Sequence, residues 1–326
     1  MAQKLKDSQK KLKTWYLKNH RKLPWRTHQD PYRIWISEVM LQQTTVKAVI
    51  PYYEKFLSRF PNVKSLAQSS LEDVYEHWAG LGYYSRARNL HKAAQVLAQT
   101  DFPKSHIELL ALSGFGPYTA RAVASFAFDD RVGVLDGNVI RFLSRYHKLK
   151  TRFWENTEKQ KLQDLADEWV QGQKSSIINQ ALIEIGATIC TPQNPSCMLC
   201  PLRETCGAYA AHLQHELPLK KPRKSLEIWV WEPEIIQQKS GAIALTKNEY
   251  APFLKGQMIF PGQVYKSKTR PKDYHYKHTI THHSIYVRIK KQKTSSKASK
   301  DWQWIKIDQI KKVSPVSLIQ KALKFI

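Results

Sequence analysis

All four cysteines of the chain fall within seventeen residues, spaced Cys190-x6-Cys197-x2-Cys200-x5-Cys206. Core-filling cysteines would be scattered, and a secreted disulfide framework would span its domain. Four thiolates this close can instead surround one metal centre. Zinc sites usually present two short C-x2-C knuckles, and only Cys197 and Cys200 form one. Unequal gaps suit a 4Fe–4S cube better, because each iron takes one thiolate. The spacing therefore favours iron–sulfur, with zinc second and disulfides third. A second chemical feature is Leu112-Ser113-Gly114-Phe115-Gly116-Pro117-Tyr118-Thr119-Ala120. Its two glycines permit positive φ and close backbone approach, and Pro117 suits the first turn of a following helix. Free N–H groups at such a helix start make a phosphate site. An isolated G-x-G is more often an ordinary tight turn. This one is followed by a helical stretch and then by Leu135-Asp136-Gly137-Asn138-Val139, which makes it far more specific.

The charge balance names a partner class. Fifty-two Lys and Arg face twenty-seven Asp and Glu, a net charge of +25, so the chain's field attracts polyanions. Ten Trp, fifteen Tyr and eleven Phe add rings that can wedge between or stack on bases. Nucleic acid is favoured over an anionic membrane surface. No apolar run has membrane-spanning length and no signal-peptide pattern opens the chain, so a cytoplasmic protein with reduced thiols is expected.

The elements that must position these groups are mostly helical in the first two hundred residues. Capping boxes at Ser69-x-x-Glu72 and Ser105-x-x-Glu108 each open a helix, and Gly80 and Gly82 close the first. Residues 86–98 predict a basic helix with an apolar face through Leu90, Ala94 and Leu97, and 177–189 an apolar helix running into Cys190. Residues 212–224 carry two prolines and a basic cluster and read as an interdomain linker. Beyond it, 226–231 and 284–289 alternate like strands, 315–326 closes with a helix, and the lysine-rich segments 266–272 and 290–300 read as surface loops.

The hairpin, the aspartate after it and the cysteine loop together resemble the helix-hairpin-helix DNA glycosylases of the endonuclease III superfamily. Within that superfamily, Leu23-Pro24-Trp25-Arg26, Ser37-Glu38-Val39-Met40-Leu41-Gln42-Gln43-Thr44 and Gly80-Leu81-Gly82-Tyr83-Tyr84-Ser85-Arg86-Ala87-Arg88 look like MutY-type adenine DNA glycosylases. The match runs from about Trp15 to about Pro222. The resemblance implies a mostly α fold: a helical iron–sulfur subdomain (1–24 and 137–211), a six-helix subdomain with the helix-hairpin-helix (25–136), the linker 212–224, and a small α/β MutT-like domain (225–326) that recognises the mismatch. It also implies a 4Fe–4S cofactor on Cys190, Cys197, Cys200 and Cys206, and a monomeric, nucleoid-associated bacterial enzyme of base excision repair. Its partner would be duplex DNA with adenine opposite 8-oxoguanine or guanine.

Roles follow from the same resemblance. Bifunctional relatives carry a lysine two residues after the second hairpin glycine, whose amine forms a Schiff base. Tyr118 stands there, and a phenol cannot form an imine, so base removal without efficient strand cleavage is implied. Glu38 lies in an apolar stretch that would raise its pKa, and would protonate N7 of adenine and then act as base toward water. Asp136 would face the developing oxocarbenium ion, with Tyr118 and Asn138 orienting both. Taken singly, such a Glu is more often a solvated face residue and such an Asp a turn or N-cap. Matching positions suggest Trp25, Arg26, Leu41 and Glu184 around the extruded base. Gln43, Thr44, Leu81 and Tyr83 would fill the gap and touch the opposite base, with Arg86, Gly114 and Gly116 also on the DNA side. In the last hundred residues the family's Phe-Ser-His triplet reads Ile280-Thr281-His282, so Thr281 and His282 are candidates for reading 8-oxoguanine, without the aromatic ring. No Glu-rich nudix signature lies between Gly262 and His275, so pyrophosphatase activity is not expected. Two alternatives are an endonuclease III-like glycosylase for oxidised pyrimidines, disfavoured by Tyr118, and a non-catalytic iron–sulfur DNA-binding protein, disfavoured by Glu38 and Asp136.

Overall fold

The structure, a computed structural model, describes residues 2–222, 225–293 and 299–326. The chain divides into two compact units, Met1–Lys221 and Pro222–Ile326. The first is helical, with α1 (Ala2–Asn19), α2 (Pro31–Leu41), α3 (Val46–Arg59), α4 (Val63–Gln68), α5 (Leu71–Trp78), α6 (Tyr84–Leu97), α7 (His106–Leu110), α8 (Pro117–Phe128), α9 (Gly137–Tyr146), α10 (Asn156–Val170), α11 (Ser175–Thr188) and α12 (Gly207–Ala210). No helix among the described residues is long and apolar enough to cross a membrane.

Two packed regions organise this unit. In one, Leu12 and Tyr16 of α1 join Phe142 and Tyr146 of α9, Trp169 of α10 and Ile178, Leu182 and Ile185 of α11 in a continuous buried cluster. In the other, Trp35 of α2 stacks on Phe115 beside α8, and Phe56 meets Phe60 and the edge of Trp78. Helix α2 is apolar almost all round: Tyr32 through Met40 are buried except Arg33, so Glu38 is carried into the interior by its neighbours. Asp30 caps its start by accepting from Tyr32 N at 2.9 Å, and Pro31 occupies the first turn, where no N–H is needed.

The start of α5 is capped by Ser70, which accepts from Asp73 N, whereas Ser69, the expected cap, bonds back to Leu66 O. Ser105 and Glu108 do form the reciprocal capping box of α7. Residues 212–221, expected as linker, pack with the first unit: Leu217 is buried and its carbonyl accepts from Arg145 Nε at 2.8 Å. Residues 223 and 224 lie outside the described residues.

The second unit is a mixed sheet of β1 (Glu227–Gln237), β2 (Ile243–Lys247), β3 (Met258–Ile259), β4 (Gly262–Ser267), β5 (Tyr276–Ile280), β6 (His283–Val287), β7 (Lys290–Lys293) and β8 (Trp302–Ile305), followed by α13 (Ile307–Val313) and α14 (Ser317–Ala322). The long β1 is central. Its first half pairs antiparallel with β4 and parallel with β6, its second half parallel with β7. Val230, Trp231, Ile235 and Ile236 of β1 are buried with Ile285 and Val287 of β6. Residues 266–267 and 290–293, expected within the lysine-rich loops, end β4 and form β7 instead, because pairing with β1 satisfies their backbone whatever their side chains. Residues 294–298 of the second expected loop lie outside the described residues.

Candidate active site

A cleft of about 770 Å³ opens in the first unit between α2, the start of α8, the start of α9 and α11. Trp25, Arg26, Glu38, Leu41, Gln43, Thr44, Tyr118, Asp136 and Asn138 all line it, brought together from four separate parts of the sequence. Glu38 is buried, and Tyr118 donates its hydroxyl to Glu38 Oε2 at 2.8 Å. Burial pushes the Glu38 carboxyl up to about 7; the Tyr118 hydrogen bond pulls the other way, and the nearby Asp136 charge adds to the rise. Tyr118 itself is pushed well up by burial and by the two carboxylates, so its proton stays on the phenol.

Asp136 is both the N-cap and a cleft residue. Its Oδ1 accepts from Val139 N at 2.7 Å, closing the first turn of α9, and its Oδ2 accepts from Asn138 Nδ2 at 2.7 Å. Burial raises its pKa, opposed by those hydrogen bonds and by the Arg141 cation. Arg141 reaches further: Nη2 donates to Asn138 Oδ1 at 2.9 Å and Nε to the Cys190 carbonyl at 2.6 Å. One guanidinium thus joins the cysteine loop to the amide that orients Asp136. Gly186 permits this proximity, since a Cβ there would sit 2.7 Å from Asn138 Cβ. Neither Arg141 nor Gly186 carries a local sequence signal.

Three candidates sit elsewhere than expected. Glu184 does not line the cleft. It is fully buried, with Arg21 donating to Oε1 (2.7 Å) and Oε2 (2.9 Å) and Arg26 donating to Oε2 (2.8 Å). Burial alone would raise its pKa, but the two guanidiniums outweigh that and hold it at about 2. Its oxygens already serve protein donors, so it fixes Arg26 in the cleft wall. Arg86 is also internal: Nη1 donates to the carbonyls of Val39, Met40 and Gln42, and Nη2 to those of Leu81 and Gly82. It braces two turns rather than presenting its charge to a ligand. Leu81 is buried.

The braced turns hold Gln43 and Tyr83 at φ of +59° and +49°, conformations that non-glycine residues seldom adopt. Tyr83 is about half exposed. Such backbone persists only where surroundings enforce it, here through Arg86, whose guanidinium also lies over the Tyr83 ring. In the hairpin only Gly114 needs its glycine conformation, at φ +84° with a Cβ position 2.8 Å from Asn89 Cβ. Gly116 has φ −78° and is the N-cap of α8, with open space where a Cβ would point. The expectation of positive φ at both glycines is corrected there. Thr281 and His282 form the two-residue turn between β5 and β6, with Thr281 exposed at φ +53°.

The four cysteines, none in a disulfide, line one small cavity walled by Phe142, Ile189 and Leu202. Arg145, itself buried, donates to Cys190 Sγ at 3.3 Å and to the Thr191 carbonyl. Burial raises the thiols of Cys197, Cys200 and Cys206, Cys200 to about 12. Uncharged thiols crowded together fit a site whose charge is supplied by a metal, which deprotonates its thiol ligands.

Residues 36–171 match the HhH-GPD superfamily of base excision DNA repair proteins. The adenine DNA glycosylase of Buchnera aphidicola from Schizaphis graminum is 42% identical over 260 residues, 78% of this chain and 74% of that protein. A second Buchnera aphidicola adenine DNA glycosylase is 37% identical over 84% of this chain and 82% of its own length. The chain belongs to the adenine DNA glycosylase family. The human family member is 40% identical over 63% of this chain and 40% of its own length. Among solved structures, a thermostable thymine-DNA glycosylase superposes with TM-score 0.57 at 27% identity, over 64% of this chain and 98% of that one. An endonuclease III–DNA complex shares the fold, with TM-score 0.55 at 22% identity, over 66% of this chain and 99% of that one. Family membership and the helical core with its C-terminal sheet unit agree with the sequence reading.

Proposed function

We propose that this chain excises adenine mispaired with 8-oxoguanine or guanine in duplex DNA, by hydrolysing the N-glycosidic bond without cutting the strand. The observation that carries this is the Tyr118–Glu38 hydrogen bond inside a cleft that also holds Asp136. With a pKa near 7, Glu38 keeps a proton at neutral pH to give away. An adenine flipped into the cleft receives that proton at N7 as the C1′–N9 bond breaks, its electron pair leaving with the purine. Asp136, held by Val139 N–H and Asn138, offers its carboxylate to the positive charge that develops on the sugar. Glu38, now ionised, accepts a proton from the water that adds to C1′. Tyr118 keeps Glu38 oriented and supplies no amine for strand cleavage.

Gln43, Thr44 and Tyr83 would occupy the space left by the flipped base, with Leu81 buried in the turn that presents Tyr83, while Trp25, Arg26 and Leu41 bound it. Glu184 serves by holding Arg26, and Arg86 by holding the two turns. Gly114 and Gly116 would let the hairpin backbone approach a phosphate. Thr281 and His282 would meet the opposite base. Cys190, Cys197, Cys200 and Cys206 would hold a 4Fe–4S cluster, which braces the loop and takes no part in a hydrolysis that moves no electron.

Base release from duplexes carrying A opposite 8-oxoguanine, G, C or T, revealed by alkali at the abasic site, tests the assignment. Release from the first two without alkali-independent nicking is expected. A duplex with T opposite G belongs in the set, because the thermostable thymine-DNA glycosylase shares this fold. Preferential thymine release there would overturn the adenine assignment. Iron content and a broad absorption near ~400 nm would separate the iron–sulfur cluster from zinc.

A further inference from the structure

At the base of the β5–β6 turn, three potential metal ligands of the second unit meet. Glu227 opens β1, and His283 opens β6 directly beside it, the two being register partners in the parallel pair. His282 precedes His283, and its carbonyl accepts from Glu227 N at 2.8 Å, which fixes the turn against β1. One donor atom from each of the three residues lies within 4.8 Å of the other two. From this juxtaposition we propose that Glu227, His282 and His283 form a binding site for a divalent cation of the zinc class.

The donor set is the first argument. Two imidazoles and one carboxylate are a common ligand combination for zinc, and three protein ligands leave a fourth position for water. Tetrahedral bonds of about 2.0–2.1 Å put neighbouring ligand atoms roughly 3.3 Å apart. The His283 Nε2–Glu227 Oε2 separation, 3.4 Å, is already there. The His282 and His283 rings lie with centroids 4.1 Å apart, which brings the second imidazole beside the same carboxylate.

One further observation points the same way: the carboxylate is held from outside, as ligating carboxylates usually are. Trp229 Nε1 donates to Glu227 Oε2 at 3.0 Å and Lys266 Nζ to Oε1 at 2.8 Å. Lys266 is the one opposing feature. Its exposed ion pair is weak and easily surrendered to a doubly charged ion. Coordination would pin the Thr281–His282 turn to β1. The site stands on the geometry of the second unit alone, whatever base that turn meets.

Equilibrium dialysis of the full chain against zinc, with iron measured in the same samples, tests the site. The four cysteines are common to every variant, so differences between variants report this site. Wild type is expected to hold about one zinc per chain more than Glu227→Gln or His283→Asn, with equal iron and unchanged far-UV circular dichroism. Should either variant fail to fold, Lys266→Met decides: removal of the competing cation should tighten zinc binding several-fold. Equal zinc in wild type and both folded variants, or no tightening in Lys266→Met, overturns the site.

Discussion

Replacing Tyr118 by Phe removes one hydroxyl and nothing else from the candidate active site. That hydroxyl donates to Glu38 Oε2 at 2.8 Å in a buried setting, so it stabilises the ionised carboxylate over the acid. A hydrogen bond to a charged group contributes about 1.5–3 kcal/mol. At about 1.4 kcal/mol per pKa unit, its loss should raise the Glu38 pKa by roughly one to two units. Wild-type Glu38 titrates near 7, and the proposed reaction starts from its protonated form. Base release should therefore fall as pH rises through that value. In Tyr118→Phe the alkaline limb should move up by one to two pH units, while the maximal rate drops because Glu38 is no longer oriented. Single-turnover release from an A·8-oxoguanine duplex between pH 5 and 10 measures both effects. An alkaline limb that stays in place, or moves down, refutes the assignment of that limb to Glu38.

Three further outcomes follow from the same geometry. Glu38 has a folded-state pKa raised from 4.5 to about 7, so its stabilising contribution is complete below the unfolded value and is lost as pH rises through 7; Glu38→Gln should gain about 3 kcal/mol of unfolding free energy at pH 8 and little at pH 4, and denaturant titrations at both pH values check it. Glu184→Ala strands Arg21 and the partly buried Arg26, and should lose about 3 kcal/mol at neutral pH, the low end for a broken buried pair because both arginines keep some contact with solvent; the wild-type advantage shrinks in acid, because a carboxylate held at about 2 loses its contribution as pH falls toward that value. Gly114→Ala forces a side chain into left-handed backbone against Asn89, costing about 1–2 kcal/mol from the backbone alone; thermal melts and DNA affinity should fall together.

How much of this was legible in the sequence depended on how local each signal is. The cysteine loop was readable because its ligands lie within seventeen residues, and the Tyr118 and Asp136 positions because each belongs to a contiguous stretch that carries the family resemblance and lies at a helix start. Asp136 shows why the functional and structural readings need not compete: the oxygen that caps α9 belongs to the carboxylate that faces the cleft. The part left unread is carried by distant pairs. Arg21 meets Glu184 across 163 residues, and Arg86 collects carbonyls from Val39 to Gln42 on another helix. Nothing local marks either arginine as tied to distant partners, and both look like free surface charge in a chain with fifty-two Lys and Arg. Composition also misled at 290–293, where lysines sit on a strand whose backbone is paired.

In the proposed reaction Glu38 donates the proton that releases adenine. Single-turnover excision from an A·8-oxoguanine duplex by wild type and by folded Glu38→Gln, with iron content equal in both, tests it most directly. Wild type should release adenine, and the variant should be slower by at least a hundredfold with DNA binding retained. Adenine release by Glu38→Gln at the wild-type rate would contradict it.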